Sequence, residues 1–431
     1  MANGVYSCVK PNINVCVCGG PCFPDEEIAY TGFMMREMKY PPEYLNNKRY
    51  VQVGRTSLSK IMASSAVWLY GGDKSVINRF DNTRAEMIRG KTLDFHFAEY
   101  ETPRKHITHI DVPGAAEYMK NEMLGLSMAD VIVIINRGGT SISDQLPRLM
   151  QIASFGPKNI ILYNCGKVIR PDLDADFVAS VTKAKSIKVI NGKDPVELWS
   201  NLEFYDQGIN ELLDTIDNLA VPQRDTYGAF KMSIVKIYRK SEDVSLIAGY
   251  IESGTVKVGQ RVKITGGYNE HYDTYATVAS IEIFGKVTTQ AGAGQLVSMV
   301  LEGESGHIYW LRRNYTVCSA EQPANPSKIF LAEITALPSD YLCGRKNVHM
   351  EGYSPMLQVG RQQTPCWLSW DGDTGNYWIR SYSRATGLDE GQKIIIIETL
   401  SRIDVKAGDG IVLYDSDMTV ATGHIIKMFR Q

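Results

Sequence analysis

The sequence contains no apolar run near the ~20 residues a membrane-spanning helix needs, so it offers no candidate for one and no membrane partner is expected. Neither charge is in surplus: 46 Lys and Arg face 48 Asp and Glu, and any nucleic-acid contact must come from a local patch. The first ten residues, MANGVYSCVK, have no signal-peptide core and no Arg-rich amphipathic pattern, which predicts a cytoplasmic protein. The eight cysteines include no CxxC pair and have no close histidine to complete a tetrahedral metal set. Cys16-x-Cys18-x3-Cys22, with Cys8 nearby, leaves zinc as an alternative to the plainer reading, in which Cys16 and Cys18 pack as small hydrophobes on a buried strand. Scattered thiols in a chain of this length fit a reducing compartment better than a disulfide framework, and neither metal nor cofactor is expected.

What is present suffices for two or three cores, since 44% of the 431 residues are apolar. Residues 1–220 alternate apolar strands with amphipathic segments, the pattern of an α/β layer. Ile107 to Asp111, Val131 to Ile135 and Ile160 to Asn164 read as buried parallel strands. Ala115 to Leu126 and Ile209 to Leu219 have helical spacing. After the linker Ala220-Val221-Pro222-Gln223 the composition shifts to short Val-, Ile-, Tyr- and Thr-rich strands with glycine turns roughly every 8–12 residues. A break at Gln322-Pro323-Ala324-Asn325-Pro326 divides this region, which predicts β-barrels over 226–321 and 326–431.

The strand Ile13 to Cys18 runs into Gly19-Gly20-Pro21-Cys22-Phe23-Pro24-Asp25-Glu26, where a nucleotide-binding α/β domain carries its phosphate loop. Against the pattern GxxxxGK[ST], the second glycine falls on Pro24, the lysine on Asp25 and the hydroxyl on Glu26. Proline removes a backbone donor, and two carboxylates face the phosphates. At an effective dielectric of about 20, each like-charge pair ~4 Å apart costs roughly 4 kcal/mol. A micromolar ligand has only ~8 kcal/mol to lose. No GK[ST] triplet follows another predicted strand, because Gly90-Lys91-Thr92 precedes one.

Four further motifs, in order, carry a resemblance to the translational GTPases of the elongation factor 1-alpha and elongation factor Tu family. His106 to Asn136 is similar to their switch II region, with Asp111-Val112-Pro113-Gly114 as DxPG and Ser127, Ala129 and Asp130 matching a small-residue and AD pattern. Gly249 to Gly259 resembles the GRVETGxxKxG hairpin of their second domain, and Glu351 to Pro355 the GYxP segment of their third. Asp415, Thr419, Val420, Ala421 and Gly423 match the closing RDxxxTVAxG pair. The fold this implies is an α/β P-loop GTPase-like domain followed by two antiparallel β-barrels.

The same resemblance allows the nucleotide site to be read residue by residue. Arg89 to Leu93 resembles RGITI, with Thr92 at the Mg²⁺-coordinating threonine, although a β-strand threonine is an equal reading. Asp111 and Gly114 keep the family type, but Ala115 stands where the family has a water-orienting histidine. The guanine-reading NKxD lands on Asn164-Cys165-Gly166-Lys167, so that Lys167 replaces the carboxylate accepting from guanine. Val189-Ile190-Asn191-Gly192 is a weak match to the last base-contacting segment. Two routes to another ligand remain: an anion on Lys167, Arg137 or Lys193, or a cation on Asp25 and Glu26. In the third domain Gly360 and Arg361 replace a His or Arg followed by Thr, and Arg361 reads as a solvated loop residue.

These losses predict a non-enzymatic pseudo-GTPase. By resemblance it is a structural or interaction protein with protein partners in a larger assembly, cytoskeletal through actin or microtubules. The competing classes are a translation-associated binder of tRNA or ribosome and a divergent GTP-binding elongation factor.

Overall fold

The computed structural model describes residues 10–19, 55–80, 86, 92, 94–114, 118–137, 142–165, 171–239, 244–266, 274–304, 308, 311–337, 353–369, 392–415 and 418–429. The chain forms two compact units, one of Asn14–Met150 with Pro157–Leu219 and the other of Met1–Ile13, Gln151–Gly156 and Ala220–Gln431.

Continuous apolar runs build the sheet of the first unit. Its strands are β1 (Asn12–Gly19), β2 (His96–Glu101), β3 (His106–Asp111), β4 (Val131–Arg137), β5 (Asn159–Cys165) and β6 (Ser186–Gly192), in the order β2-β3-β1-β4-β5-β6. The pairs β1–β4, β4–β5 and β5–β6 are parallel, while β2 and β3 pair antiparallel at one edge. Ile132 to Ile134 are wholly buried, as expected of a central strand covered on both faces. On β2, by contrast, buried and half-buried residues alternate. Cys16 and Cys18 lie fully enclosed on β1.

The helices are α1 (Arg55–Tyr70), α2 (Met119–Met128), α3 (Leu146–Ser154), α4 (Pro171–Thr182), α5 (Pro195–Ser200) and α6 (Gln207–Asn218). Ile209, Leu212, Leu213 and Ile216 put α6 on the sheet through i, i+3, i+4, i+7 spacing, each contributing roughly 1.5–3 kcal/mol. Its start is set by Asp206, whose carboxylate accepts from the backbone N–H of Gly208 at 2.9 Å and of Ile209 at 3.3 Å. The expected helix over 115–126 begins in the described chain at Met119, and Ala115 lies outside the described residues. The turn from α2 to β4 is fixed by Asp130, which accepts from the Asn14 N–H at 2.8 Å.

The second unit carries both barrels. The first contains β7 (Lys231–Arg239), β8 (Val244–Ser253), β9 (Thr255–Lys257), β10 (Arg261–Thr265), β11 (Thr274–Ile283), β12 (Lys286–Thr288), β13 (Gln290–Gly292), β14 (Leu296–Gly303) and β15 (Thr316–Ser319). Pairing of β10 with β11 closes the six-stranded ring β10-β15-β7-β8-β14-β11 around Met232, Ile247, Val262, Val278 and Met299. The expected β hairpin turns at Gly254, whose φ of +68° favours glycine. The second barrel, β16 (Ser327–Ala336), β17 (Met356–Val359), β18 (Gln362–Ser369), β19 (Gln392–Ile403), β20 (Gly410–Asp415) and β21 (Met418–Phe429), closes in the order β16-β19-β18-β17-β20-β21. The predicted fold class, an α/β domain followed by two antiparallel barrels, is therefore observed.

Candidate functional site

At the carboxyl edge of the parallel sheet, where such folds bind ligands, the structure gathers a set of oxygens. Asp111 ends β3 and is fully buried. Its Oδ1 accepts from Ser59 Oγ at 2.9 Å and its Oδ2 from Thr56 Oγ1 at 3.0 Å. Thr56 Oγ1 also lies 2.9 Å from Thr92 Oγ1. Since the single Thr56 hydroxyl proton goes to the carboxylate, Thr92 is the donor in that contact. Thr92 is thus buried outside any strand, and the strand reading of it gives way to one in which it meets the first turn of α1.

Thr56 and Ser59 were missed by the sequence reasoning, as was Arg55, the first residue of α1. The guanidinium of Arg55 lies against Gly114, where an added Cβ would fall 1.3 Å from its Cζ. Arg55 Nη1 is 4.0 Å from Glu122 Oε1, and it is buried without a hydrogen-bond partner among the described residues. Glu122 is instead engaged by Arg148, through Nε to Oε1 at 2.6 Å and Nη2 to Oε2 at 3.4 Å. Burial lowers the pKa of the Arg55 guanidinium from its usual value, against the opposing pull of Glu122. An unsatisfied buried donor of this kind costs about 1–3 kcal/mol.

The signal for these residues was in the sequence. Gly54-Arg55-Thr56 is the GK[ST] triplet with arginine for lysine, placed at the start of the first described helix after β1. The start of α1, with Arg55 and Thr56, is therefore a second candidate beside the one at Gly19. Gly19 itself ends β1 with φ +128°, and a Cβ there would meet the Ile135 carbonyl at 2.6 Å, so close strand packing accounts for this glycine. Pro24, Asp25, Glu26, Ala115 and Lys167 lie outside the described residues. Thr56, Thr92 and Asp111 form an all-oxygen set, the donor chemistry of a hard cation such as Mg²⁺ that takes its remaining ligands from phosphate and water.

Further along the same edge, Asn136, Asn164 and Asn191 face one another across β4, β5 and β6. Asn136 Nδ2 donates to Asn164 Oδ1 at 3.0 Å, and Asn164 Nδ2 donates to Asn191 Oδ1 at 3.1 Å. Asn136 Nδ2 also donates to Asp174 Oδ2 on α4 at 2.9 Å. Two of the three cations considered for an anion site are engaged elsewhere: Arg137 pairs with Asp194, and Lys193 Nζ lies 2.7 Å from Glu203 Oε2.

Arg361, expected to be solvated, is instead largely enclosed in the barrel unit. Its Nη1 lies 3.3 Å from Glu252 Oε1, and its guanidinium stacks 4.0 Å from the centre of the Tyr250 ring. Lys231 Nζ bridges Glu252 Oε2 at 3.1 Å and Asp404 Oδ2 at 2.5 Å. Burial alone would raise the Glu252 pKa, but Lys231 and Arg361 outweigh it and hold the carboxyl at about 2. The arginine is drawn inward because Glu252 needs a second cation there.

Comparison with known proteins gives one family match and two similar solved structures. Residues 51–222 match the family model for the elongation factor Tu GTP binding domain. Translation elongation factor SelB from Methanococcus maripaludis, in complex with the GTP analogue GppNHp, is similar over 97% of this chain and 80% of its own, with 16% identity and a TM-score of 0.62. A bacterial selenocysteine-specific elongation factor is similar over 96% of this chain, with 17% identity and a TM-score of 0.59, and this chain spans 58% of that protein's length.

Proposed function

We propose that the chain is a member of the elongation factor Tu family of translational GTPases, on the match of residues 51–222 to the GTP binding domain of that family, and that it binds a guanine nucleotide with Mg²⁺ and hydrolyses it little on its own. The observation that carries this reading is the meeting of Thr56, Thr92 and Asp111 within hydrogen-bond distance. Arg55, with its unpartnered buried donor, would serve the phosphates in place of lysine, and Asn164 would face the base. A Mg²⁺ bound by Thr56 and Thr92 would neutralise phosphate charge. This reading replaces the loop at Pro24, Asp25 and Glu26 with Gly54-Arg55-Thr56, which removes the electrostatic argument against nucleotide. It keeps the other half of the sequence argument: Ala115 cannot orient an attacking water, so turnover is slow. The protein then acts as a nucleotide-holding elongation-type factor whose partners are tRNA or ribosome. The similar proteins named above are elongation factors, and the cytoskeletal expectation draws no support from them.

Titration of the full chain with mant-GDP and mant-GTP tests this. Saturable binding with a micromolar or lower Kd in Mg²⁺ is expected, weakened at least tenfold by Thr56→Ala or by EDTA. Absence of saturable binding by the wild type would return the chain to the pseudo-GTPase class. Phosphate release from bound GTP should be negligible during the titration and rise on Ala115→His.

A further inference from the structure

We propose that Asp174 is the carboxylate that reads the base in this protein, so that guanine specificity is supplied by α4 and not by the residue three positions after Asn164. The inference rests on the nucleotide reading above and assigns it a specificity residue. At the motif position stands Lys167, a cation that can accept no hydrogen bond from guanine. The register of β4, β5 and β6 sets Asn136, Asn164 and Asn191 side by side at the carboxyl edge. Their amides are joined in one direction, Asn136 giving to Asn164 and Asn164 giving to Asn191. The Nδ2 that starts this chain also holds Asp174 Oδ2 at 2.9 Å, which fixes the carboxylate beside the asparagine carried over from the base-reading motif.

Asp174 makes no other hydrogen bond or ion pair with the described residues, so its Oδ1 is left with unused acceptor capacity. Asp174 is half-buried, as a group that must keep its charge and still reach a ligand should be. The edge of guanine presents two donors side by side, N1–H and the 2-amino group, and a carboxylate presents two acceptors. Adenine places an acceptor at N1 and would leave the carboxylate facing a lone pair. Asparagine at the same position would offer one acceptor and one donor, the complement of xanthine, which carries N1–H beside a 2-oxo group.

That complementarity gives a test with a gain of binding as its readout. The wild-type chain, Asp174→Asn and Asp174→Ala are each titrated with mant-GDP and mant-XDP in Mg²⁺, with melting temperatures recorded. For the wild type, guanine is expected to bind better than xanthine. Asp174→Asn should weaken mant-GDP by about 10- to 100-fold, the worth of a hydrogen bond to a charged group, and bind mant-XDP more tightly than mant-GDP. Asp174→Ala should lose mant-GDP affinity without gaining mant-XDP. Unchanged mant-GDP binding by either variant would overturn the assignment while leaving the nucleotide reading intact. Loss of both nucleotides by Asp174→Asn would also overturn it. A wild type that binds neither nucleotide overturns the parent reading and this one together.

Discussion

Single side chains in this protein carry work that composition does not reveal. His109 sits fully buried on β3, its Nδ1 3.0 Å from the Tyr100 hydroxyl and its ring edge-on to Phe80 at 5.5 Å. Its Nε2 has no hydrogen-bond partner among the described residues. Burial depresses its pKa from 6.5 to about 3. A folded pKa below the unfolded one stabilises the fold above the unfolded value, and that contribution is lost as pH falls through the window between them. Urea unfolding should therefore show stability falling from pH 6.5 towards 3 by about 1.4 kcal/mol per pH unit from this group. His109→Asn should flatten that slope, and an unchanged slope would assign the acid sensitivity to other groups. Thr92 teaches the same lesson differently: as a sequence letter it reads as strand or ligand equally well, and only its contact with Thr56 decides.

Among the elements, β7, β8, the turn that leads into β18 and the residue that follows β19 meet in the ion cluster of Lys231, Glu252, Asp404 and Arg361. Removing the charge of Glu252 leaves two cations with less compensation, and for this half-buried cluster the cost falls between the ~1 kcal/mol of an exposed pair and the about 3–5 kcal/mol of a buried one. Glu252→Gln should lower the chemical-unfolding midpoint of the barrel unit accordingly, while a change below ~1 kcal/mol would class the cluster with exposed ion pairs. The wild-type contribution of Glu252 should be complete above pH 4.5 and fade as pH falls towards 2.

Much of this element plan was legible. Unbroken apolar runs announced β4 and β5, glycine-punctuated short strands announced the barrels, and the spacing of Ile209, Leu212, Leu213 and Ile216 announced α6. Helix α1 was not legible, because Leu58, Ser59, Ile61, Met62, Ala63, Ser65 and Ala66 are buried around much of its circumference and leave no amphipathic stripe to read. With α1 went Gly54-Arg55-Thr56, set apart from β1 by residues 20–53 and spelled with arginine. Asp174 was hidden for a different reason: its partner Asn136 is 38 positions away and joined to it only by the fold.

For the whole molecule, the two compact units each hold a core of their own. Scanning calorimetry should resolve two transitions, and saturating GDP with Mg²⁺ should raise the one that belongs to the sheet unit. At a ligand concentration 100 times Kd the stabilisation is about 2.7 kcal/mol. An equal upward shift of both transitions would show that nucleotide and barrels are energetically linked. The asparagine row has a consequence of its own at this scale. Its amides come from three strands far apart in the chain, and their bonds form only when all three have arrived in the observed register. A slip of β5 by one residue would turn Asn164 to the opposite face and bring Tyr163 or Cys165 to its place. Misaligned sheets would thus forfeit the whole row at once, so the row also acts as a checksum on strand order before any ligand has been met.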